Sequence, residues 1–532
     1  MPGAVRADEF MVAMGDGTQL STEVVTADDG EPRPTLLIRT PYSRIGARQA
    51  DDAIGLARLG WSVVMQDARG TAASEGEWHP FRNERSDGAD TVAWCAAQPW
   101  SDGRVAMWGA SYVGITQLMA AAERPPALRA IAPMVTSAWA DEGWTYEGGA
   151  LQLGFAMPWA AMMAAACPRI AKRDLDRAAA VMADWPAAYR QPLGDHPVRA
   201  LSPAFVDWLS ADQRRVWKDL DIAKKVARAD IPAFFVAGWY DLFCDGTLRT
   251  FASIEAPARI VVGPWTHAGL WLDTTPEVQF GDAANGIAQD VRGEALRWMR
   301  RAIDGEEVEG GARLFVMGVN AWREFDGWPP PSTPARFFLT DEASLQSSPP
   351  AEAGRHSFDY DPHNPVPTRG GRTLGPYLPM AGPVDQHDVE ARGDVLVYTS
   401  APLTKPLTVI GQVEATIRFS TTGRSADVTV KLVDVHPDGR ALNVVDSVRR
   451  LPFTPGRPKN VDVAVGATAM CFLAGHRIRV EVSSSNFPRL DRNPSTGEHW
   501  GDATVLQGAR QTVHLGSSRV TLPVTPTRRG AT

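Results

Sequence analysis

Trp108-Gly109-Ala110-Ser111-Tyr112-Val113-Gly114 is the stretch on which the reading of this chain turns. It extends an apolar run that begins at Val105 and opens a helical pattern over residues 113–122. A serine on a tight strand-to-helix turn presents its Oγ above a sheet edge, beside a helix N-terminus; this is the setting of a nucleophile elbow. Gly109, two residues before the serine, relieves crowding at such a turn. The spacing is G-x-S-x-x-G, one residue longer than the usual G-x-S-x-G, and Val113 stands where a small residue normally lets helix and strand approach. Taken alone, the motif fits a catalytic serine or an ordinary loop serine.

Outward from it, short apolar runs at residues 36–38, 61–66 and 128–135 alternate with helical spacing at 51–59 and 88–97. Further runs follow at 231–238 and 258–263, and a closing helix is expected over 292–303. This alternation predicts a mostly parallel sheet covered on both faces. A serine alcohol needs a base within hydrogen-bond reach and an acid to orient that base. Asp241 follows the run at 231–238 and His267 follows that at 258–263, in the order Ser, Asp, His. All three fall at carboxyl ends of expected parallel strands, where open α/β sheets place their sites. His79 competes as the base and Asp245 as the acid; Asp241 is preferred because it lies nearer the strand end. Asp67 also ends a strand, but it precedes the serine and suits a structural pairing with Arg69. For the oxyanion, the backbone N–H of Tyr112 is the expected first donor. Tyr42, just past the run at 36–38, reads from spacing either as a packing residue or as a phenolic donor.

Residues 138–227 carry six tryptophans, at 139, 144, 159, 185, 208 and 217. They read as a helical core or as a helical cap lining an apolar cleft. The uncharged stretch 148–168 holds Gln152, Gly154 and Pro158 and reads as a buried or cleft-lining helix rather than a membrane span. Residues 329–334, Pro-Pro-Pro-Ser-Thr-Pro, read as a linker. Beyond them the apolar period becomes two, as in Val413, Ala415, Ile417 and Phe419, which predicts a β-sandwich.

Composition excludes several other classes. Hydrophobic residues make up 44% of the 532, enough to exclude a mainly disordered chain. A net charge of −8 gives no global attraction for nucleic acid or an anionic membrane. Four cysteines without a C-x-x-C pair suit a reducing compartment, so a cytoplasmic location is expected. Residues 1–14 do not read as a secretory signal. No metal site is visible in the sequence, and no cofactor is required.

Several separated motifs together resemble the cocaine esterase-like (CocE/NonD) serine hydrolases, relatives of α-amino acid ester hydrolases and X-prolyl dipeptidyl peptidases. They are Thr40-Pro41-Tyr42, Asp67-Ala68-Arg69-Gly70 with Ser74-Glu75-Gly76, the elbow itself, Gly238-Trp239-Tyr240-Asp241, Gly263-Pro264-Trp265-Thr266-His267, and Val316-Met317-Gly318-Val319-Asn320 with Trp322-Arg323 and Trp328. The resemblance implies that the longer elbow is the family's own. It implies Ser111, Asp241 and His267 as nucleophile, acid and base, with the Tyr42 hydroxyl and Tyr112 N–H as oxyanion hole. It further implies an α/β-hydrolase core with a helical cap and a C-terminal all-β, jelly-roll-like sandwich. The expected divisions are residues 1–137 and 228–328 for the core, 138–227 for the cap and 335–527 for the sandwich.

One branch is disfavoured. Amino acid ester hydrolases resemble a design with extra acidic residues after the triad acid, to hold a substrate ammonium; here Leu242, Phe243 and Cys244 stand there. Asp141 and Glu142 in the cap are the remaining sources of negative charge. The expectation is a hydrolase of small, largely apolar esters, with no nucleic-acid or membrane partner and the oligomeric state open. An amide or peptide acylase on the same triad is the alternative, and a non-catalytic carbohydrate- or partner-binding protein is the third reading.

Overall fold

The computed structural model describes residues 4–168, 170–351 and 354–526. The first three residues of the expected core, residue 169 of the expected cap, and residues 352, 353 and 527 of the expected sandwich lie outside them.

The first sheet has ten strands. These are β1 (Val5–Ala13), β2 (Gln19–Ala27), β3 (Arg33–Thr40), β4 (Ser62–Asp67), β5 (Ser101–Ala110) and β6 (Leu128–Met134). A small hairpin, β7 (Tyr146–Glu147) with β8 (Ala150–Leu151), intervenes before β9 (Ala233–Tyr240), β10 (Ala258–Thr266), β11 (Gly311–Val316) and β12 (Ala321–Phe325). The order is β1-β2-β4-β3-β5-β6-β9-β10-β11-β12. From β4 to β11 all pairs are parallel, while β1–β2, β2–β4 and β11–β12 are antiparallel. The parallel strands are buried along nearly their whole length because helices cover both faces. The N-terminal hairpin and the β11–β12 edge were not expected from periodicity, since their alternation is short or interrupted.

The helices α1 (Arg44–Ala50) and α2 (Ala53–Arg58) follow β3, and α3 (Glu84–Ala96) and α4 (Tyr112–Ala121) flank β5. The uncharged stretch forms α5 (Leu153–Ala165), whose buried face includes Phe155, Met157 and Trp159. No helix among the described residues is long and apolar enough to cross a membrane.

Asp67 corrects one expectation. Its carboxylate accepts from the backbone N of Arg44 at 2.5 Å, whereas Arg69 reaches Asp87 (2.7 Å) and Asp16 (2.7 Å). Arg69 lies beyond the strand end and turns away from the carboxylate that closes it.

The second sheet also has ten strands: β13 (Thr333–Leu339), β14 (Ser344–Gln346), β15 (Arg355–Tyr360), β16 (Leu396–Ser400), β17 (Leu407–Thr421), β18 (Ser425–Val435), β19 (Ala441–Pro452), β20 (Lys459–Phe472), β21 (Arg477–Ser483) and β22 (Ala509–Val524). Hydrogen bonds join them into one curled sheet whose two end strands, β19 and β20, come together. The Pro-rich linker ends sooner than its composition predicts. Thr333 and Pro334 already pair with Val524 and Pro523 in β13, because proline is tolerated where a strand begins.

His196 lies in the helical region after α5 and is 1% exposed. Its Nδ1 accepts from Val198 N and its Nε2 donates to the Ala188 carbonyl at 3.0 Å, which satisfies a neutral ring. Burial lowers its pKa to about 4. A depressed value favours the neutral form, so its contribution is present above the unfolded value and lost as pH falls from about 6.5 to about 4. The loss amounts to about 3 kcal/mol. Wild type is therefore expected to lose more melting temperature between pH 7 and pH 4 than His196→Gln. Equal losses would show that this ring does not carry the acid sensitivity.

Candidate active site

The elbow forms as its residues dictate, and the structure explains the longer spacing. Ser111 joins β5 to α4 with φ 61° and ψ −126°, a strained conformation for a side-chain-bearing residue. Gly109 has φ 136°, and a Cβ there would lie 2.3 Å from Val113 Cγ1. Val113 thus occupies the space that Gly109 leaves. The small residue is needed one position later: a Cβ on Gly114 would meet Thr136 Cγ2 at 2.6 Å.

Ser111, His267 and Asp241 come together. His267 Nε2 lies 3.1 Å from Ser111 Oγ, and Nδ1 lies 2.7 Å from Asp241 Oδ1. Asp241 is fully buried, and its Oδ2 accepts from Phe243 N at 3.1 Å. A buried carboxylate facing Nδ1 holds the proton there and leaves Nε2 free to accept from the serine.

The two competitors lie elsewhere. His79 bonds Asp207 (3.1 Å) and the Pro80 carbonyl (3.2 Å). Asp245 pairs with Arg372 at 2.9 Å and accepts from Ala467 N at 2.9 Å, facing the second sheet. Arg372, in the segment between β15 and β16, also donates to the Trp239 carbonyl at 3.1 Å and so braces the end of β9 next to Asp241.

Tyr42 reaches the same place from the end of β3. Its hydroxyl interacts with Ser111 and accepts from Trp159 Nε1 at 3.1 Å. Although 47% of the residue is exposed, the hydroxyl is enclosed, and burial raises its pKa to about 12. A phenol in that state keeps its proton across the neutral range and acts as a donor.

Tyr112 is the first residue of α4, so its N–H belongs to the helix turn without intrahelical partners. Its ring is wholly buried. The hydroxyl accepts from Phe81 N (2.8 Å) and donates to Glu84 Oε1 (3.0 Å). Glu84 is held in turn by Arg39, which is fully buried and donates to Oε2 at 2.6 Å. Arg39 lies three residues before Tyr42, so one buried ion pair anchors the segments carrying both tyrosines. Nothing in the sequence pointed to it, because Glu84 and Arg39 lie far apart along the chain.

Aromatic side chains pack around the site. Trp144 and Phe243 stack with centroids 4.1 Å apart, and Phe243 presents its edge to His267 at 5.2 Å. Phe155 and Trp159 continue the cluster, with Trp159 stacked on Tyr112 at 5.9 Å. The Glu142 carboxylate accepts from Gly148 N in the β7–β8 turn, and burial raises its pKa.

An α/β sheet with a serine–imidazole–carboxylate chain at its strand ends defines the class of α/β serine hydrolases. Comparison with known proteins agrees. Residues 16–269 match the X-Pro dipeptidyl-peptidase (S15 family) model, and residues 305–521 match the X-Pro dipeptidyl-peptidase C-terminal non-catalytic domain. The cocaine esterase of Rhodococcus sp. (strain MB1 Bresler) is 36% identical over 534 residues, covering 92% of each chain. An aminopeptidase structure from a marine sediment Thaumarchaeota archaeon superposes with a TM-score of 0.81 at 25% identity, covering 98% of this chain and 97% of that one. An α-amino acid ester hydrolase structure does so with a TM-score of 0.79 at 24% identity, over 98% and 97%. The chain belongs to the cocaine esterase-like (CocE/NonD) family and is a serine carboxylic ester hydrolase, with an N-terminal α/β-hydrolase domain and a C-terminal β-sheet domain.

Proposed function

We propose that Ser111 is the nucleophile, His267 the general base and Asp241 the orienting acid, in an enzyme that cleaves small esters with an apolar acyl group. The single observation that carries this is the hydrogen-bonded chain from Ser111 Oγ through His267 to Asp241. Oγ attacks the ester carbonyl as Nε2 takes its proton, and the imidazolium then protonates the departing alkoxide. Water, deprotonated by the same Nε2, releases the acid from the acyl-enzyme. The Tyr42 hydroxyl and Tyr112 N–H are the proposed donors to the oxyanion. The aromatic cluster of Trp144, Phe155, Trp159 and Phe243 packed beside His267 and Tyr112 supports an apolar acyl group.

The finer architecture is read in the same way: residues 1–137 and 228–328 as core, 138–227 as a helical cap, and 335–527 as a jelly-roll-like sandwich. The four free cysteines support a cytoplasmic setting.

The test is a fluorophosphonate probe, with the modified peptide mapped by mass spectrometry. Stoichiometric labelling at Ser111 that disappears in His267→Ala is expected. Folded protein that takes no label, or takes it at another serine, would overturn the assignment. Hydrolysis of acyl anilides or X-Pro substrates faster than esters would replace the ester reading with an acylase.

A further inference from the structure

We infer that the C-terminal sheet carries a binding site for one divalent transition-metal ion of the zinc type, formed by Asp434, His436 and His476. Asp434 lies near the end of β18, His436 in the turn that follows, and His476 immediately before β21. One donor atom from each residue lies within 4.8 Å of those from the other two. His476 Nδ1 is 2.9 and 3.0 Å from the two carboxylate oxygens of Asp434, and His436 Nε2 is 3.4 Å from Oδ2. Donors about 3 Å apart suit an ion that binds nitrogen and oxygen at about 2.0–2.2 Å with ligand–metal–ligand angles of roughly 90–110°. Two imidazoles with one carboxylate select zinc and its first-row neighbours over calcium or magnesium, which prefer all-oxygen shells.

The three side chains are held ready. Asp434 is 2% exposed and His476 8%. The turn carrying His436 is closed by His436 N donating to the Arg440 carbonyl at 2.8 Å and Gly439 N donating to the His436 carbonyl at 3.0 Å. The two rings lie 4.4 Å apart, centroid to centroid. Two rings that close, facing one carboxylate, leave their donor atoms converging on a single point that one cation can occupy. Binding requires the proton between His476 Nδ1 and Asp434 to move to Nε2 of the same ring, with no change in net charge. His436 is the ligand nearest solvent, its side chain 23% exposed, so the remaining coordination positions open to water on that side. The ion would tie the turn after β18 to the start of β21, well separated in sequence from Ser111 and His267.

The test uses the full chain, stripped with chelator and titrated with zinc chloride by calorimetry and with cobalt chloride by visible absorption. The expected result is saturable uptake of one ion per chain, cobalt d–d bands, and a raised melting temperature. In His436→Ala, which leaves the Asp434–His476 contact intact, affinity is expected to fall at least tenfold while esterase activity stays at the wild-type level. Absence of saturable uptake by active protein would overturn the proposal. So would uptake undiminished in His436→Ala, which would place the ion at another histidine.

Discussion

Replacing His267 by alanine is expected to lower kcat for ester hydrolysis by about 10⁴- to 10⁶-fold, with KM little changed. Nε2 is the group placed to take the Ser111 proton, at 3.1 Å, and without it the attacking oxygen keeps its hydrogen. Ser111→Ala should lose a similar factor. The double variant should be no worse than either single one, because the two groups act as a unit. His267→Ala also leaves the buried Asp241 carboxylate with Phe243 N but without the imidazole, so the fold must be checked by circular dichroism alongside the kinetics. A folded His267→Ala enzyme within tenfold of wild type would remove His267 from the mechanism.

Tyr42→Phe is expected to lower kcat by about 10²- to 10³-fold, the loss of about 3–4 kcal/mol that follows removal of one oxyanion donor. Phenylalanine keeps the ring and removes only the hydroxyl, so substrate binding and KM should change little. The enclosed, firmly protonated phenol has two neighbours, Ser111 and the Trp159 indole N–H. A donor that strengthens its bond only as charge develops on the carbonyl oxygen acts on kcat. Steady-state kinetics on one activated ester decide the matter. If kcat stays within threefold of wild type while KM rises, Tyr42 is a wall of the binding site and the oxyanion is held by backbone alone.

Much of the architecture was legible because it rests on local signals. Parallel strands buried on both faces are apolar throughout, as at residues 231–238, and α4 was readable from the residues after Ser111. The order Ser111, Asp241, His267 could be read from which residues follow which strands. The N-terminal hairpin escaped because a mixed-burial edge strand, such as β1, has too few buried positions to set a clear period. Spacing alone could not separate Tyr42 the donor from Tyr42 the packing residue, since the difference lies in Trp159 and Ser111, both remote in sequence.

The sequence by itself determined the parts and their order: a serine on a strand-to-helix turn, an acid and a histidine beyond later strands, an aromatic-rich helical stretch, and a C-terminal run of half-buried strands. Period, turn chemistry and residue type are properties of neighbours along the chain. The tertiary structure alone decided that Asp241 faces His267 while Asp245 is taken by Arg372. It alone decided that Gly109 makes room for Val113 and Gly114 for Thr136, and that the Arg39–Glu84 pair sits beneath both tyrosines. Those outcomes depend on which remote surfaces are pressed together, and a few ångströms there separate a hydrogen bond from no contact at all.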